Sequence, residues 1–359
     1  MKKFCIRFLI TVFLILAGIA GFNAIVDPFY HYHAPILGTR EYMYNQVYQS
    51  PGAALHFTYD SAIVGSSMTE NFRSSWFAEE GCDTVKLSYS GARTRDLRSI
   101  LDKVFESENE VKWIILDIND YQLTVEPDSS FGEQPEYLYN DSFLDDVQYL
   151  LGSEVFWTSF ERVWEAISDT EPNPDDSYTW EDPELFSAER LKEENQWMMN
   201  GLVSESASED NAELESLYLQ CEGNLSNLTE IVEAQPETEF IFYFPPYSIL
   251  YWERQVLSDR LWILDIYRHC AETLVKYPNV RVFYFQDEIE LIGNLDNYRD
   301  ECHHSPQINR YIFECIRDGK KELTEDNLAE CFENMKKIVT EYPYDTIWQE
   351  QIAENGKES

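Results

Sequence analysis

Five short apolar runs, at residues 61–64, 84–88, 111–116, 239–244 and 280–285, recur along the chain, each followed by polar or turn-forming residues and separated by helical stretches. This alternation constrains the fold more than any other feature, because parallel strands need long crossover connections and helices supply them. The expected class is therefore α/β: a mostly parallel sheet of about five strands with helices on both faces, giving a three-layer α/β/α sandwich. Helical periodicity marks residues 94–105, 251–277, 306–317 and 325–342. Between the third and fourth runs lies a long insertion, from residue 122 to about 236, with helical stretches at 143–151, 155–167, 188–198 and 214–234. An acidic, proline-bearing segment at 171–183 interrupts it. Material inserted there either lies over the strand ends as a lid or packs at the periphery.

The N-terminus carries a different signal. Residues 8–26 form an uncharged apolar run, preceded by Lys2, Lys3 and Arg7. At ~1.5 Å per residue such a run spans a bilayer core of ~30 Å. Basic residues on its N-terminal side keep that end inside, so residues 1–7 are expected to be cytoplasmic and everything after residue 26 extracytoplasmic. A cleaved signal peptide is the rival, with Gly18 and Ala20 as small residues near a cleavage point, but the run exceeds the usual h-region of about 7 to 15 residues. The expectation is a single-pass protein of the cell membrane. Residues 27–57, rich in Tyr and Pro, read as a linker packing on a domain of residues 58–359.

The formal net charge of −39 disfavours nucleic acid as a partner, since phosphates would be repelled. Seven cysteines are present without a dense disulfide spacing, and CxxC, HExxH, Walker A and GxGxxG patterns are absent.

The first apolar run, Ala62-Ile63-Val64, ends in Gly65-Ser66-Ser67. A strand that delivers a serine into a turn at the carboxyl edge of a parallel sheet places a hydroxyl where ligands bind in open α/β folds. A serine nucleophile requires a base, and that base an orienting carboxylate. Of six histidines, His303 and His304 are the candidates, because Asp300 precedes His303 by three residues. His304 is the fallback, displaced by one. Bland readings exist for each: a serine after a strand is often a helix cap, and a lone histidine is often structural.

Gly65-Ser66-Ser67-Met68-Thr69 resembles the Gly-Asp-Ser-Leu-Thr block of GDSL or SGNH hydrolases, and Asp300-Glu301-Cys302-His303 resembles their closing Asp-x-x-His block. With the single membrane segment, the pattern is similar to membrane-anchored SGNH-like proteins of Gram-positive bacteria, distant relatives of the D-alanine transfer and alginate acetylation proteins. The resemblance implies a flavodoxin-like sandwich and a catalytic triad of Ser67, His303 and Asp300. It also implies an oxyanion hole built from the Ser67 N–H, the Gly91 N–H and the Asn119 side chain. Two positions depart from the blocks: Ser66 stands for the aspartate, and Asp117 for the glycine of a Gly-x-Asn-Asp block that Asp117-Ile118-Asn119-Asp120 otherwise matches. Asn119 and Asp120 are equally readable as a plain turn.

The implied activity is that of a serine esterase or acyltransferase working on acyl groups of a cell-envelope glycan or polymer, with no cofactor. The competing expectation is an inactive protein of the same fold that binds glycan or an assembly partner. A metal is not expected at Asp300, Glu301, Cys302, His303 and His304, because consecutive ligands cannot all surround one tetrahedral ion.

Overall fold

The computed structural model describes residues 1–36, 43–140, 142–168, 173–200 and 211–349. Two residues of the acidic segment, Glu171 and Pro172, and the end of the expected domain, residues 350–359, lie outside them. The chain begins with the apolar α1 (Lys2–Val26), long and apolar enough to cross a membrane. It stops where Asp27 adopts a left-handed conformation, φ 46°. The Asp27 carboxylate is buried and accepts the backbone N–H groups of His31, Tyr32 and His33 at 3.0, 2.7 and 2.9 Å, and the Tyr149 hydroxyl at 2.6 Å. Four donors on one carboxylate fix the exit of α1 against the domain.

Residues 27–57, expected to be a linker, contain the helix α2 (Gln46–His56). Pro51 and Gly52 inside it concealed it in the sequence. Asn45 caps it, accepting the Tyr48 N–H at 3.1 Å, and Gly52 lets it press on the preceding chain, since a Cβ there would lie 2.3 Å from the Tyr30 carbonyl oxygen.

The domain then alternates β1 (Ser61–Gly65), α3 (Ser74–Ala78), β2 (Thr84–Ser88), α4 (Thr94–Glu106) and β3 (Trp113–Asp117). α5 (Asp120–Leu123) leads into the insertion, which supplies α6 (Val147–Leu150), α7 (Ser153–Ser168), α8 (Ala188–Glu194) and α9 (Asn211–Ala234). After β4 (Glu239–Phe244) come α10 (Ile249–Leu257), α11 (Ile263–Leu274), β5 (Val280–Tyr284), α12 (Ile289–Ile292), α13 (Pro306–Asp318), β6 (Glu322–Leu323) and α14 (Leu328–Glu341). The expected helix 251–277 is thus two, separated near Asp259, which has φ 54°. Its continuous apolar periodicity hid the break.

The sheet has six strands in the order β2-β1-β3-β4-β5-β6, parallel except for the two-residue β6 at one edge. That edge strand, too short to carry a pattern, is the one the five-strand expectation omitted. Because alternate residues of a strand face opposite sides, Ala62, Val64, Ile114, Leu116, Phe240 and Phe242 pack under α2, α4, α9, α10, α11 and α14. Ile63, Ile115, Ile241, Tyr243 and Phe283 pack against α3 and α13 on the other side. The result is three layers, and α9 belongs to one of them rather than to a lid.

One buried group works against the fold. Glu253 on α10 accepts the Trp348 indole N–H at 2.8 Å, and burial pushes its carboxyl up to about 7. A folded pKa above the unfolded one means the native state binds more protons between about pH 4.5 and 7, so stability falls as pH rises through that window. Glu253→Gln retains an acceptor for Trp348 without the charge. It should raise stability by about 1–3 kcal/mol at pH 8 and change it little at pH 4, read by urea unfolding at the two pH values.

Candidate active site

The strand order reverses between β1 and β3, and in doubly wound sheets the crevice at that switch point is where ligands bind. Ser67 leaves β1 there. Ser66 caps the turn that follows, accepting the Met68 N–H at 3.3 Å, and Thr69 Oγ1 donates to the Ser66 carbonyl at 2.7 Å. The Met68 carbonyl is held from across the sheet by Asn309 on α13 at 2.8 Å and by the Tyr243 hydroxyl at 3.2 Å. The serine turn is therefore braced by two separate elements, α13 and β4.

His303 arrives from a small hairpin that precedes α13. Tyr298 and His304 form an antiparallel bridge, and Arg299 N donates to the His303 carbonyl at 2.8 Å. Ser67 Oγ lies 2.8 Å from His303 Nε2. His303 Nδ1 lies 2.7 and 3.0 Å from the two Asp300 oxygens, and Asp300 Oδ1 also accepts the backbone N–H groups of Cys302 and His303, each at 2.9 Å. Burial opposes ionisation of Asp300, but the hydrogen bond and charge of His303 and the two backbone donors outweigh it and hold the carboxyl well below its ordinary value. An ionised Asp300 on Nδ1 leaves Nε2 to accept a proton from Ser67. His304, the fallback base, is buried instead; desolvation first, then the neighbouring His303, push its pKa down to about 3.

The two departures at 66 and 117 turn out to face each other. The register pairs Ile63 with Ile115, which brings the ends of β1 and β3 side by side. Asp117, fully buried, accepts the Ser66 N–H at 2.8 Å, the Ser66 hydroxyl and the Asn119 amide. Burial raises its pKa while the bonds from Ser66 and Asn119 lower it, and burial prevails. Gly65 makes room for this carboxylate: a Cβ there would lie 2.2 Å from Asp117 Oδ1. The carboxylate missing at position 66 is supplied from position 117.

Of the three expected oxyanion donors, the N–H groups of Ser67 and Gly91 make no hydrogen bond to another described residue. Gly91 lies past the end of β2 with φ 73°, a left-handed conformation suited to glycine. Asn119 is placed differently from the expectation. Its amide nitrogen is committed to Asp117 and, at 3.2 Å, to Ser66 Oγ, while its carbonyl accepts from Tyr247. It braces the serine turn because the acidic residue at 117, where the block has glycine, captures its amide.

Two residues that sequence reasoning missed complete the surroundings. Glu70, buried, accepts from Gln46, Ser90 and, at 2.7 Å, the Trp180 indole N–H. Trp180 meets the His303 ring edge to face with centroids 5.5 Å apart, and Arg299 lies 5.6 Å over the indole. Arg73 pairs with Glu181, and Asp175 accepts the Ser75 N–H at 3.0 Å. Among the described residues, the part of the insertion that packs on the His303 ring is thus Trp180 of the acidic segment. The only sequence signal was a tryptophan in an otherwise polar stretch. Among the described residues no group of three or more His, Cys, Asp or Glu side chains is placed to hold a metal ion.

Compared with known proteins, the chain matches no family model, no curated protein and no solved structure.

Proposed function

We propose that the protein is a membrane-anchored, extracytoplasmic serine esterase or acyltransferase of SGNH-like fold, acting on acyl groups of a cell-envelope glycan or polymer. The observation that carries this reading is the continuous hydrogen-bonded chain from Ser67 Oγ through His303 to Asp300. In the proposed cycle Ser67 Oγ attacks the acyl carbonyl as its proton passes to His303 Nε2. The tetrahedral oxyanion is received by the N–H groups of Ser67 and Gly91. Collapse expels the alcohol oxygen, which takes the proton from His303, and leaves the acyl group on Ser67. Water or a second hydroxyl, deprotonated by His303, then attacks that ester and releases an acid or a transferred ester.

The rival reading, an inactive binding protein of the same fold, drew on the departures at 66 and 117. Their mutual hydrogen bonds remove that motive, because together they support the turn that carries Ser67. The test is labelling of the full chain with a fluorophosphonate, followed by mass mapping. A single adduct on Ser67 is expected; an adduct elsewhere, or none under conditions that label a control serine hydrolase, ends the proposal.

A further inference from the structure

We propose that the outer face of α7 lies in the membrane interface beside the exit of α1, so that the domain sits on the bilayer rather than hanging from it. This rests on reading α1 as a membrane anchor. The inner face of α7 packs on the last turns of that helix: the rings of Phe22 and Phe156 meet at 5.8 Å, and Ser159 Oγ donates to the buried Asn23 at 3.1 Å. Asn23 Nδ2 donates in turn to the Leu150 carbonyl at 3.0 Å, tying in α6. Val155, Thr158, Ser159 and Arg162 complete the buried side.

The opposite side is apolar and uncovered. Trp157, Phe160, Trp164 and Ile167 are 63, 54, 65 and 74% exposed. Their spacing of three, four and three residues places them in one stripe. Earlier in the same insertion, just ahead of α6, Phe143 and Leu144 are also 84 and 92% exposed. Contiguous apolar surface of this kind is normally covered.

Position and composition identify what covers it. The uncharged run of α1 ends at Val26, so Phe22 and Asn23 sit within about one turn of its outer end, the level at which tryptophans gather at membrane boundaries. The occupant is a lipid surface continuous with the one that receives α1. Glu154, Glu161 and Glu165 flank the stripe, and Arg162, the one basic residue of α7, is buried. Attachment is therefore by apolar insertion, not by attraction to anionic headgroups.

The test uses the full chain reconstituted in phosphatidylcholine vesicles whose acyl chains carry bromine, a quencher of tryptophan emission. The chain has nine tryptophans and α1 contains none. Quenching equivalent to about two of them is expected, unchanged by raised salt or added anionic lipid. It should be abolished in Trp157→Phe/Trp164→Phe, whose unaltered near-ultraviolet signal from the remaining tryptophans would confirm folding. Flotation after an alkaline wash reads the anchor separately. A chain that does not float overturns the anchor and this face with it. A chain that floats with unquenched tryptophans overturns the face alone, as does a detergent-soluble dimer that the double substitution converts to monomer.

Discussion

Ser67→Ala should eliminate the burst of product that the full chain releases from an activated acetyl ester and lower its steady turnover by at least about 10³-fold. The expectation follows from the single task the proposal assigns to the three groups. Ser67 Oγ is within 2.8 Å of the base, and the base is held by an ionised Asp300, so the loss of the hydroxyl removes the atom on which the acyl group would rest. His303→Ala should produce a loss of similar size. The double variant should be little worse than either single one, because residues acting as a unit are strongly non-additive. A burst of normal amplitude in Ser67→Ala would overturn the proposal.

The second large effect belongs to a residue that touches no substrate in this scheme. Asp117→Ala deprives the Ser66 N–H, the Ser66 hydroxyl and the Asn119 amide of a common buried acceptor. A buried polar group left without a partner costs about 1–3 kcal/mol, so three of them, partly relieved by rearrangement, should lower stability by about 3–5 kcal/mol. Urea unfolding reads that loss directly. Turnover of whatever remains folded should also fall, since the turn presenting Ser67 hangs on the same carboxylate. Asp117→Asn, which keeps the volume and one acceptor oxygen, should cost less stability than Asp117→Ala. Equal midpoints for wild type and Asp117→Ala would show that the network does not hold the turn.

These residues also mark where reading the chain succeeded and where it stopped. The parallel sheet was legible because each of its first five strands is a local apolar run, and Ser67 because it ends one of them at a glycine. His303 was legible through Asp300 three residues away, a separation a single turn can close. Asp117 looked like a defect, since its partnership with Ser66 depends on two strands 51 residues apart meeting in one register. The surroundings of Asn119 were hidden for the same reason: an amide read from its local block said nothing about the acidic neighbour that holds it. The partnership of Glu70 with Trp180 could not be read because 110 residues separate the two ends of their hydrogen bond. The helix α2 escaped because proline and glycine, read locally, argue for a loop, whereas here the glycine answers to the Tyr30 carbonyl above it.

The buried carboxylate of Asp27 carries one further consequence. A stalk gripped through three backbone donors and a tyrosine is tied to the domain at the point where it leaves it, so an enzyme anchored as proposed would carry its serine at a set height above the bilayer. Such an enzyme would meet its substrates by lateral diffusion in a plane, and only ester groups presented at that one altitude would ever reach it.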